Sequence, residues 1–404
     1  MRLALLAALA LPALAPADWL RFRGPNGTGV ADAPDVPISF DAKNYRWKKE
    51  IPGLGNSSPI VVGDKVFLQS SSKDSTQRFL YCLDAKTGDL KWSYSLPGGK
   101  AKTHQKNSMA SSTPASDGKS VFAVFWDGSD ITLAACDLAG KELWKRPLGS
   151  FKSRHGAGLS PIVSDGKVIL ALDQDGHSVV SAFDAKTRDT VWQTPRKATE
   201  DCSYSTPFVH SPDGKEASVI VGTTAGVAAY REKDGKELWK YDWKFPGQPL
   251  RVVASPVLAA GSIIVTSGNG GGNRAAVAVK ADASGETAWT TKRTVPYVPC
   301  FVVKGDHLYG VNDVGQAVCI DAKTGEEVFV ERLAGSFTSS PVLVNGNVYA
   351  VNETGEVFVF AAKPTFELLG KSEIGEQVYA SPAVGDGALF IRGGKTLFCI
   401  GKAK

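Results

Sequence analysis

Cysteine is scarce and dispersed in this chain: there are six in 404 residues, no two adjacent, and none in a Cys-x-x-Cys or Cys-x-x-Cys-His arrangement. Histidine is scarcer still, with five in all and no tract. Motif-borne redox pairs, metal clusters and attached haem are thereby excluded. A strong charge of one sign is also missing. Lys and Arg number 46 against 41 Asp and Glu, a net +5 that falls to +4 once residues 1–17, which carry only Arg2, are set aside. The lysines sit mostly in turns such as Asp117-Gly-Lys119, Asp165-Gly-Lys167 and Asp213-Gly-Lys215, interleaved with acids. That pattern describes a solvated surface and gives no nucleic-acid footprint.

The apolar run at the start, Leu3 to Pro12, follows a single positive charge and ends in Ala15-Pro-Ala17 before Asp18. It is too short to span a bilayer and lacks a stop-transfer flank, so residues 1–17 read as a secretory signal. No cysteine near Asp18 offers a lipid-anchor site. The expectation is a secreted or periplasmic monomer without a transmembrane span. Residues 18–44 form a lead-in, and residues 45–404 form one body.

A short phrase returns eight times along that body. One full copy runs from Asp84-Ala-Lys-Thr-Gly88 to Trp92, then to Ser112-Thr-Pro114, an Asp117-Gly-Lys119 turn and a β-branched run. The proline beat falls at Pro59, Pro114, Pro161, Pro207, Pro256, Pro341 and Pro382, with Cys300 in the sixth unit. Its mean spacing, about 46 residues, lies in the range of propellers and solenoids. A second beat agrees in number: Trp47, Trp92, Trp144, Trp192, Trp239, Trp289, then Phe329 and Leu369. Because Cys82, Cys319 and Cys399 share one position in their repeats, the geometry holds them apart, and a disulfide needs Cα atoms within about 7 Å. They read as buried thiols, while a bridge from Cys202 stays open.

Within a unit, Pro341-Val-Leu-Val and Asn347-Val-Tyr-Ala-Val make a hairpin, Glu356-Val-Phe-Val-Phe a third strand, and the residues after a Thr-Gly turn a fourth. A lone four-stranded sheet with two apolar faces must stack on its neighbours, with the recurrent Trp between them. The predicted fold is all-β, an eight-bladed β-propeller of four-stranded antiparallel blades. The chain ends on a third strand, Leu397-Phe-Cys-Ile400, and begins with an orphan fourth, Tyr45 to Ile51. Pairing the two closes the ring and removes free edges.

Leu83-Asp84-Ala-Lys-Thr-Gly88 to Trp92 and Ile320-Asp321-Ala-Lys-Thr-Gly325 resemble the repeat of the pyrroloquinoline-quinone-like (PQQ-like) β-propellers. The opening Asp18-Trp-Leu-Arg-Phe-Arg-Gly-Pro-Asn-Gly-Thr-Gly29 looks like that of a secreted, mostly uncharacterised branch of the group. The resemblance covers nearly all of the chain after residue 17. It implies the fold, and for chemistry two different lines. The quinoprotein dehydrogenases of the family hold quinone and Ca²⁺ over the funnel with an Asp as base, a vicinal Cys pair, a Trp floor and long loops. The similar outer-membrane assembly lipoproteins bind protein partners through loops on one face.

The connection from the aromatic beat to the proline beat varies from 11 to 22 residues, and insertions confined to one face of a repeat array mark its binding face. That face carries His104, Lys106, Asn107, Arg154, His155, Glu200-Asp201, Tyr204, Arg251, Tyr297 and Tyr379 at the channel mouth, with His177 further out. A polar funnel of this kind suits a protein partner or a small ligand. Ser267-Gly-Asn-Gly-Gly-Gly-Asn273 reads as a hairpin loop and not a phosphate cradle, because no Lys-Ser/Thr or helix follows. Asp173-Gln-Asp-Gly176 reads as a turn, since no Glu completes a calcium loop. The sequence therefore reads as a non-catalytic binding scaffold without metal or cofactor. The alternatives are a PQQ- and Ca²⁺-dependent dehydrogenase, and a hydrolase or lyase using His104, His155 and Asp201.

Overall fold

The computed structural model describes residues 18–196, 202–212, 216–244, 251–270, 272–292 and 294–402. Eight antiparallel sheets stand around one axis, each entering at the axle through a short inner strand and ending on a long, half-exposed outer strand. In blade one the strands are Ile60–Val62, Lys65–Ser71, Gln77–Asp84 and Leu90–Pro97. The second and third strands are buried on both faces because neighbouring blades cover them. The outer strand alternates exposed and half-buried residues, as an edge facing water should.

Every blade carries a register shift at the same place, where its outer strand meets the third strand. The extra residue precedes the aromatic beat. A bulge there twists the edge and discourages edge-to-edge pairing. Trp47, Trp144, Trp192 and Trp289 are buried. The indoles of Trp47, Trp92, Trp144, Trp192 and Trp289 each donate to a carbonyl in the next blade's turn: Ala85, Leu138, Ala185, Glu232 and Ala322. Each tryptophan thus docks one blade on the next by apolar burial, worth about 2–3 kcal/mol, and by one directed bond.

Two beats shift by a residue. Gly370, opposite Val359, takes the register position that Trp92 takes opposite Cys82, and Leu369 is the bulged residue. An indole has no room there: a Cβ on Gly370 would stand 2.5 Å from the Ile38 carbonyl oxygen of the lead-in segment. In the sixth unit Cys300 aligns with the Ser or Thr before each proline, and Phe301 takes the proline's place. A hydrogen-bond ring around the axle, described below, fixes that alignment.

Tyr45–Glu50 pairs antiparallel with Thr396–Ile400 and completes blade eight. All six cysteines are free and buried. The axle is threaded by the lead-in. Trp19 pairs with Val61 of blade one, and the Leu20 carbonyl accepts the Ser116 amide of blade two at 2.8 Å. Asn26 exchanges hydrogen bonds with Val209 of blade four. Val30–Ala31 then adds a parallel fifth strand to Val342–Val344 of blade seven. Burial alternates along Trp19, Leu20, Arg21, Phe22 and Arg23, the period of an extended strand. The segment leaves past Asn345, whose side chain bonds both the amide and the carbonyl of Ala33. It fills the half of the axle nearest the Asp-Gly-Lys turns.

Candidate functional site

Because the plug closes one end, the opposite mouth opens into a blind cavity of about 840 Å³ with Phe22 at its base and residues from all eight blades around it. Its deepest ring is the residue before each proline position. The amide of Ser58 donates to Thr113 Oγ1 (3.1 Å), Thr113 to Ser160 Oγ (3.0 Å), and Thr206 to Ser255 Oγ (3.0 Å). Ser255 donates to Cys300 Sγ (3.1 Å), Cys300 to Ser340 Oγ (3.0 Å), Ser340 to Ser381 Oγ (2.9 Å), and Ser381 back to Ser58 Oγ (3.0 Å). Seven of the eight blades thereby hand their innermost amide to the next blade's side chain, all but the step from Ser160 to Thr206. A hydroxyl has one proton and two lone pairs, so accepting an amide leaves its proton free to donate.

The connection between Pro97 and Ala115 forms a strap over one side of the mouth. On one flank the His104 amide donates to the His155 carbonyl (3.0 Å), and Asn107 Nδ2 reaches the carbonyls of His155 (2.8 Å) and Ala157 (3.1 Å). The His104 and His155 rings meet edge to face at 5.3 Å. On the other flank Lys106 Nζ pairs with Glu353 of blade seven at 2.6 Å, and that carboxylate also accepts Thr338 Oγ1 at 2.7 Å. Asn56 Nδ2 holds the Lys106 carbonyl at 3.1 Å.

Elsewhere on the wall, Tyr204 OH, Ser153 Oγ and Cys202 Sγ form a closed triangle of contacts at 2.9–3.0 Å that braces the Arg154-His155 turn. Burial pushes the Tyr204 hydroxyl and the Cys202 thiol above their ordinary values. Arg251 Nη1 reaches Tyr297 OH at 3.4 Å. Arg274 lies over the Tyr297 ring at 5.2 Å and pairs with Asp313 at 3.5 Å. Asp313 accepts the amides of Tyr297 and Val298, and burial raises its pKa despite Arg274.

The structure brings His104, Lys106, Asn107, Arg154, His155, Tyr204, Arg251, Tyr297 and Tyr379 around this one cavity. Glu200 and Asp201 lie outside the described residues. His177 is exposed and apart from the lining. The buried carboxylate of Asp173 pairs with Arg196 at 2.8 Å. Among the described residues no three His, Cys, Asp or Glu side chains converge on a point that would hold a metal. Sequence reasoning missed Phe22, Arg274, Asp313 and the Ser/Thr ring. The ring was visible as an eightfold small polar residue before the proline beat.

Residues 30–155, 107–328 and 273–368 match the family described as outer membrane protein assembly factor BamB, which spans well over half of the sequence. The chain belongs to this family. BamB of Shewanella oneidensis is 22% identical over 316 residues, covering 73% of this chain and 74% of that protein. A polyvinylalcohol dehydrogenase of Pseudomonas sp is 26% identical over 191 residues, but these cover 43% of this chain and only 27% of the enzyme. Among solved structures, a europium-containing methanol dehydrogenase superposes with a TM-score of 0.71 at 13% identity, over 95% of this chain and 98% of that one. Likeness at that identity speaks for the shared propeller alone. No helix among the described residues is long and apolar enough to cross a membrane.

Proposed function

We propose that this BamB-family chain is a non-catalytic binding propeller that acts outside the cytoplasm and uses its blind funnel as the binding site. The observation that carries this reading is the closed base. A through-channel would offer a ligand no stop, whereas Phe22, the ring beneath the strap and the polar wall make a pocket with converging donors. Its volume is that of a site for a small molecule or a peptide end. The partner-binding role implied by the name of the BamB relatives belongs to the same reading.

A calcium-borne quinone finds a poor fit in these residues. The floor is Phe22, and the cysteines lie apart. The Asp313 carboxylate is taken up by Arg274 and two amides, and Glu353 by Lys106 and Thr338. The decisive experiment adds pyrroloquinoline quinone and Ca²⁺ to purified protein and follows dye-linked alcohol oxidation. Silence is expected, and stoichiometric quinone binding with turnover would overturn the proposal. In parallel, native mass spectrometry should show a bound molecule or partner on wild-type protein from its own cells. A variant changing Arg154, His155 and Arg251 to Ala should lose it while its melting temperature stays within a few degrees. Retention by that variant would move the site off the funnel.

A further inference from the structure

Three arginines are buried around the ring of this funnel: Arg21 is 7%, Arg23 1% and Arg392 2% exposed. None has a carboxylate partner among the described residues. Each instead donates to a carbonyl next to a member of the amide–hydroxyl ring. Arg21 takes Pro207, which follows Thr206; Arg23 takes Phe301, which follows Cys300; Arg392 takes Ser57, which precedes Ser58, at 3.1 Å. Arg21 and Arg23 therefore sit behind the ring, and Arg392 flanks it on the mouth side. Their capacity is not used up, because Arg21 Nε and Arg392 Nε have no acceptor among the described residues, and Arg23 has only the Cys300 thiol as a side-chain partner.

A buried cation without a counter-charge is unfavourable, and native proteins pair such groups or bind an ion against them. Burial depresses all three guanidinium pKa values, Arg21 and Arg392 to about 9, and outweighs the opposing effect of Cys300 on Arg23 and of Tyr81 on Arg392. Against these cations stands a circle of seven hydroxyls and the Cys300 thiol, in which six oxygens already accept amides. Their protons have no acceptor among the described residues and are left to donate toward the axis. Cation behind and hydroxyl donors in front is an arrangement for receiving negative oxygen atoms.

We infer that the deepest subsite of the funnel receives an oxyanion, a carboxylate, phosphate or sulfonate group seated against the hydroxyl ring above Phe22. The inference rests on the funnel being the binding site and adds the chemical class of what it binds. The anion arrives either free or as the head group of a larger molecule whose body fills the upper funnel between Tyr204, Tyr297 and Tyr379. The polar ring selects the head, and the aromatic wall accommodates the body.

Isothermal titration of purified protein with inorganic phosphate, sulfate and phenylphosphonate, at matched ionic strength with chloride as the reference anion, tests this. Saturable binding of phosphate or sulfate assigns a free anion. Binding confined to phenylphosphonate assigns a head group. Either supports the inference, provided that Arg23→Gln weakens binding tenfold or more while Arg23→Lys keeps most of it. If the Arg23 variants fail to fold, Ser340→Ala, which removes one ring hydroxyl, should still weaken binding severalfold. No saturable binding by any of the three probes, or equal binding by a folded Arg23→Gln or Ser340→Ala variant, overturns it. In that event a ligand or partner still lost by the Arg154, His155 and Arg251 variant would leave the funnel reading standing and remove only the anion. Loss of both results would bring down both.

Discussion

The indole of Trp47 lies flat against Gly88 of the next blade, so close that a Cβ on Gly88 would stand 2.5 Å from Trp47 Cε3. Gly88 also has φ +73, and Trp47 Nε1 bonds the Ala85 carbonyl of the same turn at 3.0 Å. The same contact recurs between Trp92 and Gly140 and between Trp289 and Gly325, where the Cβ would lie 2.7 Å from the ring. The Thr-Gly turn is thus a socket for the preceding blade's tryptophan as well as a reversal of the chain.

Gly88→Ala is expected to destabilise the protein by about 3 kcal/mol, combining left-handed backbone strain with displacement of the indole. Gly118→Ala provides the control, since Gly118 has φ +82 but open space where its Cβ would go. It should lose only about 1 kcal/mol. Urea midpoints of the two variants measure the difference. Equal losses would mean that the socket contributes nothing beyond turn geometry.

Restoring the repeat consensus at its weakest copy should do harm. Gly370 stands where other blades carry Trp or Phe, and Ile38 of the lead-in occupies the space. Phe40 beside it is buried and fixed by its amide to Ser372 Oγ at 2.7 Å. Gly370→Trp must expel that segment and is expected to lower stability by about 3 kcal/mol. Thermal unfolding reads this directly, and a raised melting temperature would show that the lead-in is a dispensable filler.

The blades and their closure were legible because a fixed period makes eight weak signals reinforce one another. Trp47, Trp92 and the turn glycines each announce the same junction, and an unpaired third strand at Leu397 calls for Tyr45. The plug was illegible for the opposite reason. Residues 18–44 occur once, and inside the axle they bond backbone carbonyls and amides of Val61, Pro207, Val209, Phe301 and Leu343, which carry no side-chain signature. The funnel residues came into view through loop length. Their floor did not, because Phe22 reaches the site from outside the repeat.

The strap over the mouth is tied on the blade-seven side by Lys106 and Glu353, side chains 35% and 15% exposed. A pair so close to solvent holds about 1 kcal/mol or less. Lys106→Ala should therefore leave the melting temperature nearly unchanged while amide exchange in residues 104–111 quickens by up to about fivefold. Exchange confined to its wild-type rate would place the restraint wholly on the Asn107 flank.

The repeat turns also set a pH dependence with a definite sign. Asp184 Oδ1 accepts the amides of Thr187 (2.8 Å) and Lys186 (2.9 Å), and these bonds, Thr187 first, lower its pKa below the ordinary 3.8. The folded state then binds fewer protons than the unfolded state in that window, so stability rises with pH through it. The contribution is complete above 3.8 and disappears as pH falls through the folded value. Asp184→Asn keeps an acceptor oxygen but removes the charge. At neutral pH it should be less stable than wild type by about 0.5 kcal/mol, a small figure because water screens this turn. The gap should close as the pH is lowered below 3.8. Asp313, raised by burial, has the opposite slope, but it is common to both proteins and cancels in their difference. Urea midpoints from pH 7 to pH 3 at constant ionic strength give the comparison. A gap that does not change with pH would assign the turn's preference for Asp to geometry and not to its charge.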